Sequence, residues 1–271
     1  MFLTRHQTSR GPRWAANRQF LTDNFDLRML LAMPCADMQP FVDHTLTDEP
    51  AAGPLLAPIE MTQEVWGCGV TYQRSRDARR AESSTGDVYD RVYAAQRPEL
   101  FFKSIGWRAV GHQQPIRIRA DSAWNVPEPE LTLVINQHQE IAGYTIGNDL
   151  SARSLEGENP LYLSQAKIYD ASCALGPGLQ LSDDGAALRD LSITLEIARA
   201  SRSAYRGETR TSRITRRFED LVAYLFRELG FPHGALLMTG TGIVPPDDFT
   251  LAAGDIVTIT IGVLTLENTV V

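Results

Sequence analysis

Lysine is nearly missing from this chain: of its 26 basic residues only Lys103 and Lys167 are lysines. Arginine keeps its proton near neutral pH, whereas a buried lysine can be pushed far enough to do base chemistry. The two positions that retain an amine are therefore candidates for function, although a base composition that replaced surface lysines would leave the same scarcity. Cysteine is scarce as well. Cys35, Cys68 and Cys173 are odd in number, widely spaced and without a CxxC pair, which argues against a disulfide framework and against a cysteine zinc site. None of the five histidines has metal-ligand spacing. Long apolar runs are absent too: Met29 to Cys35 is too short to span a bilayer and follows an arginine-rich polar start that does not read as a secretory signal. These absences point to the cytoplasm with no membrane partner. An excess of positive charge is also lacking, and a formal net charge of -7 weighs against nucleic acid.

What is present is an ordinary globular composition, 43% hydrophobic and 22% charged over 271 residues, with room for one large domain and a small one. Residues 1–60 alternate short helical patterns, such as Trp14 to Leu21, with acidic and proline-bearing loops and read as a small N-terminal domain and linker. Residues 61–271 read as the main domain. From Val65 onward, short β-prone runs recur between turn signals: Trp66 to Tyr72, Leu100 to Lys103, Ile116 to Arg119, Leu131 to Asn136, Ile141 to Ile146, Leu191 to Ile197 and Ile256 to Leu266. The clearest helix covers Arg216 to Leu229, where Phe218, Leu221, Val222, Leu225 and Leu229 share a face, and a second candidate covers Gly86 to Ala95. Strands and helices do not alternate regularly, so a β-rich α+β roll is expected rather than a doubly wound parallel sheet.

The sharpest motif is Val126-Pro127-Glu128-Pro129-Glu130-Leu131. A proline after Glu128 biases that residue to extended backbone, where residues two apart face the same side, so two carboxylates point together. Unpaired, they would repel and raise each other's pKa, which a divalent cation relieves. Asp149 follows 19 positions after Glu130 and one hairpin would return it beside the pair. Three hard oxygen ligands suit Mg²⁺, with Mn²⁺ or Ca²⁺ as substitutes, and leave about three positions for water or a chelating substrate. Taken alone, Glu128 and Glu130 also describe a solvated strand entrance, and Asp149 or Asn148 a cap for the turn Ser151 to Leu155. The run Arg74, Arg76, Arg79 and Arg80 reads as solvated surface or as an attractor for an anionic acid at the mouth of a site. Lys103 reads as a strand-end charge, or as a side chain reaching a cavity.

With these residues the chain resembles the fumarylacetoacetate hydrolase superfamily from about Val65 to its C-terminus. The likeness is carried by Gly67-Cys68-Gly69-Val70-Thr71-Tyr72, Glu128-Pro129-Glu130, Gly143 to Arg153 and Thr239-Gly240-Thr241-Gly242. It implies a mixed β-roll or sandwich in which Glu128, Glu130 and Asp149 hold Mg²⁺ or Mn²⁺ chelated by a 2-oxo acid, and it implies a homo-oligomer, dimer or tetramer. Hydrolases of the family place a histidine shortly after the first of these segments. Here Tyr72 is followed by Gln73-Arg74-Ser75-Arg76-Asp77-Ala78-Arg79 and no histidine appears before His112. Instead Arg97 to Lys103, Trp124 to Leu131 and Ser164 to Asp170 resemble the sugar-acid branch, the 2-keto-3-deoxy-D-arabinonate dehydratases. That branch implies roles around the metal for Glu99, Lys167 and Thr241, with Arg91 and Gly240 near a 2-oxo sugar acid.

The reaction this implies is dehydration of a 2-keto-3-deoxypentonate to 2,5-dioxopentanoate through a metal-stabilised enolate. Lys167 serves either as the C3 base or as a cation steadying the enolate, Glu99 delivers a proton to the departing hydroxyl, and Thr241 orients a substrate oxygen. Two other readings share the metal site: an acylpyruvate-type hydrolase or diacid isomerase or decarboxylase, and a binder of 2-oxo acids without catalysis.

Overall fold

Alternation governs the central strand. Leu131, Leu133 and Ile135 fall on one face and Glu130, Thr132 and Val134 on the other, as a period of two requires. In the computed structural model, which describes residues 1–82, 87–182 and 187–271, this strand, Pro129–Ile135, forms a hairpin with Ile141–Asp149 that pairs Glu130 with Gly147. The hairpin is the middle of a ten-stranded sheet. In spatial order the strands are Leu46–Pro50, Gln19–Leu21, Gly11–Ala16, Phe2–Thr8, Cys173–Leu181, Ile141–Asp149, Pro129–Ile135, Ala235–Met238, Glu64–Gly69 and Glu99–Ile105. Neighbours run antiparallel except Ala235–Met238 beside Glu64–Gly69. A second, antiparallel sheet of four strands, Arg202–Arg210, Ser192–Arg199, Ile256–Ile261 and Leu264–Thr269, packs against it.

The main core lies between the two sheets. Leu131, Leu133 and Ile135 meet Ile193, Leu195, Ile197, Ile259 and Leu266 there, and the helix Phe218–Leu225 closes one end with Phe218, Leu221, Val222 and Leu225. That burial accounts for the helix, whose apolar face would otherwise stay wet. It ends before the expected Leu229, which is 40% exposed and lies beyond the apolar contact. The candidate at Gly86 to Ala95 forms as Asp87–Ala94, and Gly86 lies outside the described residues.

Three local expectations are corrected. Trp14 to Leu21 is a hairpin and not a helix: Asn17 and Arg18 both take positive φ, 47° and 73°, as a tight strand-reversing turn requires, and Trp14 and Ala16 turn inward together. Ile116 to Arg119 makes no strand, only a bridge from Ile116 to Val270. The strand Arg202–Arg210 escaped notice because it is an edge strand rich in exposed arginine, with no apolar alternation to read. Residues 1–60 add four strands to the large sheet, and their cluster of Leu3, Trp14, Leu21 and Leu30 packs on Val134, Ala142 and Leu179 from its far face.

Candidate active site

The three acids come together through the hairpin. Glu128 and Glu130 lie two apart on extended chain, and the Asp149 amide donates to the Glu128 carbonyl at 3.0 Å, which sets Asp149 across from Glu128. The three carboxylates each offer an oxygen within 4.8 Å of the others, and all three residues are buried.

Both lysines converge on this cluster. Lys167, at the end of the helix Leu163–Lys167, donates to Glu128 Oε2 at 2.7 Å, Asp149 Oδ2 at 2.8 Å and Ser151 Oγ at 2.6 Å. Lys103 is not the strand-end charge expected of it. It is fully buried, with Nζ 2.6 Å from Asp149 Oδ1 and donating to the Leu150 and Lys167 carbonyls at 3.0 and 2.6 Å. Lys103 therefore ties the end of the strand that carries Asp149 to the segment that carries Lys167. The Asp170 side chain, three residues on from Lys167, points elsewhere and lies 3.7 Å from Arg108.

Arginine supplies what the sequence reading missed. Arg79, one of a run that reads as solvated surface or as an attractor for an anion, is buried and donates to Glu128 Oε1 at 2.5 Å while its Nε lies 3.3 Å from Glu156 Oε1. Arg153 donates to Glu128 Oε1 as well and to Glu156 Oε2 at 2.7 Å. One signal was available: Arg153 and Glu156 sit three apart, a helical ion-pair spacing directly after the Asp149 motif. For Arg79 nothing local distinguished it from Arg74, Arg76 and Arg80, because helix phase toward a pocket is a tertiary fact.

Glu99 enters from the edge strand Glu99–Ile105. Its carboxylate lies across Gly69, where any Cβ would overlap it, so glycine at 69 is a condition for the acid to point inward. Burial, and then the neighbouring Glu156, push the Glu99 carboxyl up to about 7. Gly240 takes φ +90° and donates its amide to Glu130 Oε2 at 2.6 Å, with a Cβ there blocked by Thr71 Oγ1. Thr241 lines the same cavity, and its hydroxyl sits 3.3 Å from the Ile243 carbonyl. Arg91 is not brought there: it is exposed on the helix Asp87–Ala94, whose Tyr89 does line the cavity.

Electrostatics divide the three acids. Burial opposes ionisation of Glu128, but Lys167, Arg153 and Arg79 outweigh it and hold its carboxyl well below the usual range. Burial, Asp149 and Glu128 push Glu130 well above it. Burial alone would lower Lys167, yet Asp149 and Glu128 raise it further above its ordinary value. Among the described residues Glu130 makes no ion pair, so a buried carboxylate with one amide donor faces two like charges. That is the position a hard cation fits. Five carboxylates (Glu99, Glu128, Glu130, Asp149 and Glu156) gather against four basic side chains (Arg79, Lys103, Arg153 and Lys167).

The cavity between these groups holds ≈ 20 Å³, room for about one water-sized group, and the Arg79 guanidinium lies in its lining against Glu128. A larger open cleft of ≈ 650 Å³ is lined by Tyr72, Arg74, Tyr205 and Gly242, none of which lines the small cavity. The single cluster of metal-ligating spacing found among the described residues lies in the small cavity, so chemistry rather than volume locates the site.

Comparison with known proteins agrees with this geometry. The fumarylacetoacetate (FAA) hydrolase C-terminal family matches residues 64–271. The chain is similar to the probable 2-keto-3-deoxyxylonate dehydratase of Haloferax volcanii, 45% identical over 230 residues that cover 84% of this chain and 78% of that one. It is similar to the 2-dehydro-3-deoxy-D-arabinonate dehydratase of Saccharolobus solfataricus, 45% identical over 203 residues, 73% of this chain and 68% of that one. A solved 2-keto-3-deoxy-D-arabinonate dehydratase, complexed with magnesium and 2,5-dioxopentanoate, superposes with a TM-score of 0.85 at 36% identity, covering 100% of this chain and 98% of that one. With the matched region spanning the strand pair, the carboxylate cluster and both lysines, the chain belongs to the fumarylacetoacetate hydrolase family.

Proposed function

We propose that this protein is a magnesium-dependent dehydratase of a 2-keto-3-deoxypentonate, releasing water and forming 2,5-dioxopentanoate. The observation that carries the reading is the buried Glu128, Glu130 and Asp149 cluster with Lys167 and Glu99 on its rim, in a chain similar along its whole length to a dehydratase solved with magnesium and that product.

Glu128, Glu130 and Asp149 are the residues that would hold the ion. When bound, it supplies positive charge that favours negative charge on the C2 oxygen of a 2-oxo acid. Lys167 serves the C3 end: Glu128 and Asp149 hold it as a cation that can steady the charge that develops, and it could take the C3 proton as the free amine only where a bound ion draws the charge of those two carboxylates away from it. Glu99, kept near neutrality by burial, delivers a proton to the C4 hydroxyl so that it leaves as water. The C3–C4 double bond then shifts: C5 loses one hydrogen as C3 gains one, and the resulting C4–C5 enol gives up its hydroxyl proton as C4 gains one, which leaves the C5 aldehyde, so that one water leaves in all. Thr241 orients an oxygen of the substrate, the Gly240 amide holds Glu130 at the edge of the substrate loop, and Lys103 and Ser151 position Asp149 and Lys167.

The hydrolase alternative calls for a histidine base, and none lines the cavity among the described residues. The test offers purified protein with Mg²⁺ a panel of 2-keto-3-deoxypentonates and an acylpyruvate. A 2,5-dioxo acid formed only from the first supports the reading, cleavage of acylpyruvate without dehydration defeats it, and binding of either without turnover favours the binder. We further propose a homo-oligomer in the cytoplasm, which light scattering and cell fractionation check. Among the described residues no helix is long and apolar enough to cross a membrane.

A further inference from the structure

Glu156 belongs neither to the metal cluster nor to the proton transfers above, yet it lines the same cavity. It is 5% exposed on the helix Arg153–Glu158, and its two oxygens meet Arg153 at 2.7 Å and Arg79 at 3.3 Å. Both guanidinium groups also reach Glu128. Glu156 therefore stands one guanidinium away from Glu128, in the lining of the cavity that Glu128, Glu130 and Asp149 share.

A carboxylate held by two guanidinium groups presents only acceptors. Toward a substrate hydroxyl that is a hydrogen-bond partner, and toward a second substrate carboxylate it is a buried like charge. It has an indirect effect as well. Arg79 and Arg153 are forks suited to carboxylates, and Glu156 already occupies one nitrogen of each. The site thus contains a repulsive element against diacids and withholds the cations that would attract them.

We propose that Glu156 is the specificity determinant of this site, selecting monoanionic 2-oxo acids with hydroxyl groups on the distal carbons and rejecting dicarboxylic 2-oxo acids. The assignment of hydroxyl recognition rests on the dehydratase reading, whereas the rejection of diacids does not.

The probes are 2-oxoglutarate and 2-oxopentanoate, five-carbon 2-oxo acids that differ only in a second carboxylate, titrated calorimetrically into the Mg²⁺-loaded protein. The wild type binds 2-oxopentanoate and discriminates against 2-oxoglutarate. Glu156→Gln tightens 2-oxoglutarate by roughly 10–100-fold, leaves 2-oxopentanoate unchanged and lowers kcat/KM for the 2-keto-3-deoxypentonate, while Glu156→Asp keeps the wild-type order. Equal binding of the two acids by the wild type overturns the proposal without any variant having to fold. So does a Glu156→Gln protein, intact by circular dichroism, that shifts both acids alike or neither. A wild type that discriminates as stated but never turns over the sugar acid defeats the dehydratase reading alone.

Discussion

Lys103 and Lys167 grip the same carboxylate from its two oxygens: Lys103 Nζ lies 2.6 Å from Asp149 Oδ1 and Lys167 Nζ 2.8 Å from Oδ2. The chain's two lysines thus share one residue, but their surroundings differ. Lys103 is spent on backbone carbonyls behind Asp149, whereas Lys167 lines the cavity.

Lys103→Met removes a buried partner and leaves Asp149 less compensated. The metal-free protein should lose about 3–5 kcal/mol of stability, the range for breaking a buried pair from one side. Denaturant melts with and without Mg²⁺ check this, since added ion should recover part of the loss. A variant as stable as the wild type would remove Lys103 from the account of the site.

Lys167→Arg keeps a cation and loses a group able to give up its proton. Turnover should fall by about 10²–10⁴-fold, while Mg²⁺ affinity stays close to wild type. An active arginine variant would show that charge alone suffices at this position.

Glu130→Gln should act with opposite signs on two measurements. Glu130 is the acid whose ionisation burial, Asp149 and Glu128 disfavour, so the metal-free variant melts higher than the wild type. The same change removes an ion ligand, and Mg²⁺ affinity should fall by more than the roughly 10–100-fold typical of losing an outer partner. Metal binding that survives the substitution would take Glu130 out of the ligand set.

Glu99 sets a pH dependence. Its carboxyl is raised from 4.5 to about 7, so the folded protein holds a proton there that the unfolded chain has released. Stability from this group is present below 4.5 and is lost as pH rises through about 7, up to about 3 kcal/mol in the metal-free protein, because each pKa unit is worth about 1.4 kcal/mol. Melts from pH 5 to 8 should slope downward for the wild type and be flatter for Glu99→Gln. If the protonated acid assists departure of the C4 hydroxyl, kcat also falls above about pH 7 and Glu99→Gln loses that limb. Gly69→Ala, which displaces the carboxylate by overlap, should lower kcat and leave Mg²⁺ binding intact.

The sequence by itself determined the two-residue spacing of Glu128 and Glu130, the hairpin that returns Asp149, and the apolar alternation that buries one face of the central strand. All of these depend on contacts near in the chain or on strand periodicity. Lys167 was legible through the scarcity of its residue type, and the same scarcity marked Lys103 without revealing its depth. Only the tertiary structure decided that Arg79 turns inward while Arg74 and Arg80 stay exposed, that Gly69 clears space for Glu99 from the neighbouring strand, and that Glu156 sits between two guanidinium groups. The reason is physical. Charge, spacing and backbone bias are properties of a segment, but burial of a charged side chain depends on partners brought from residues 79, 103, 128, 149 and 167 to one point, and no local pattern encodes that meeting.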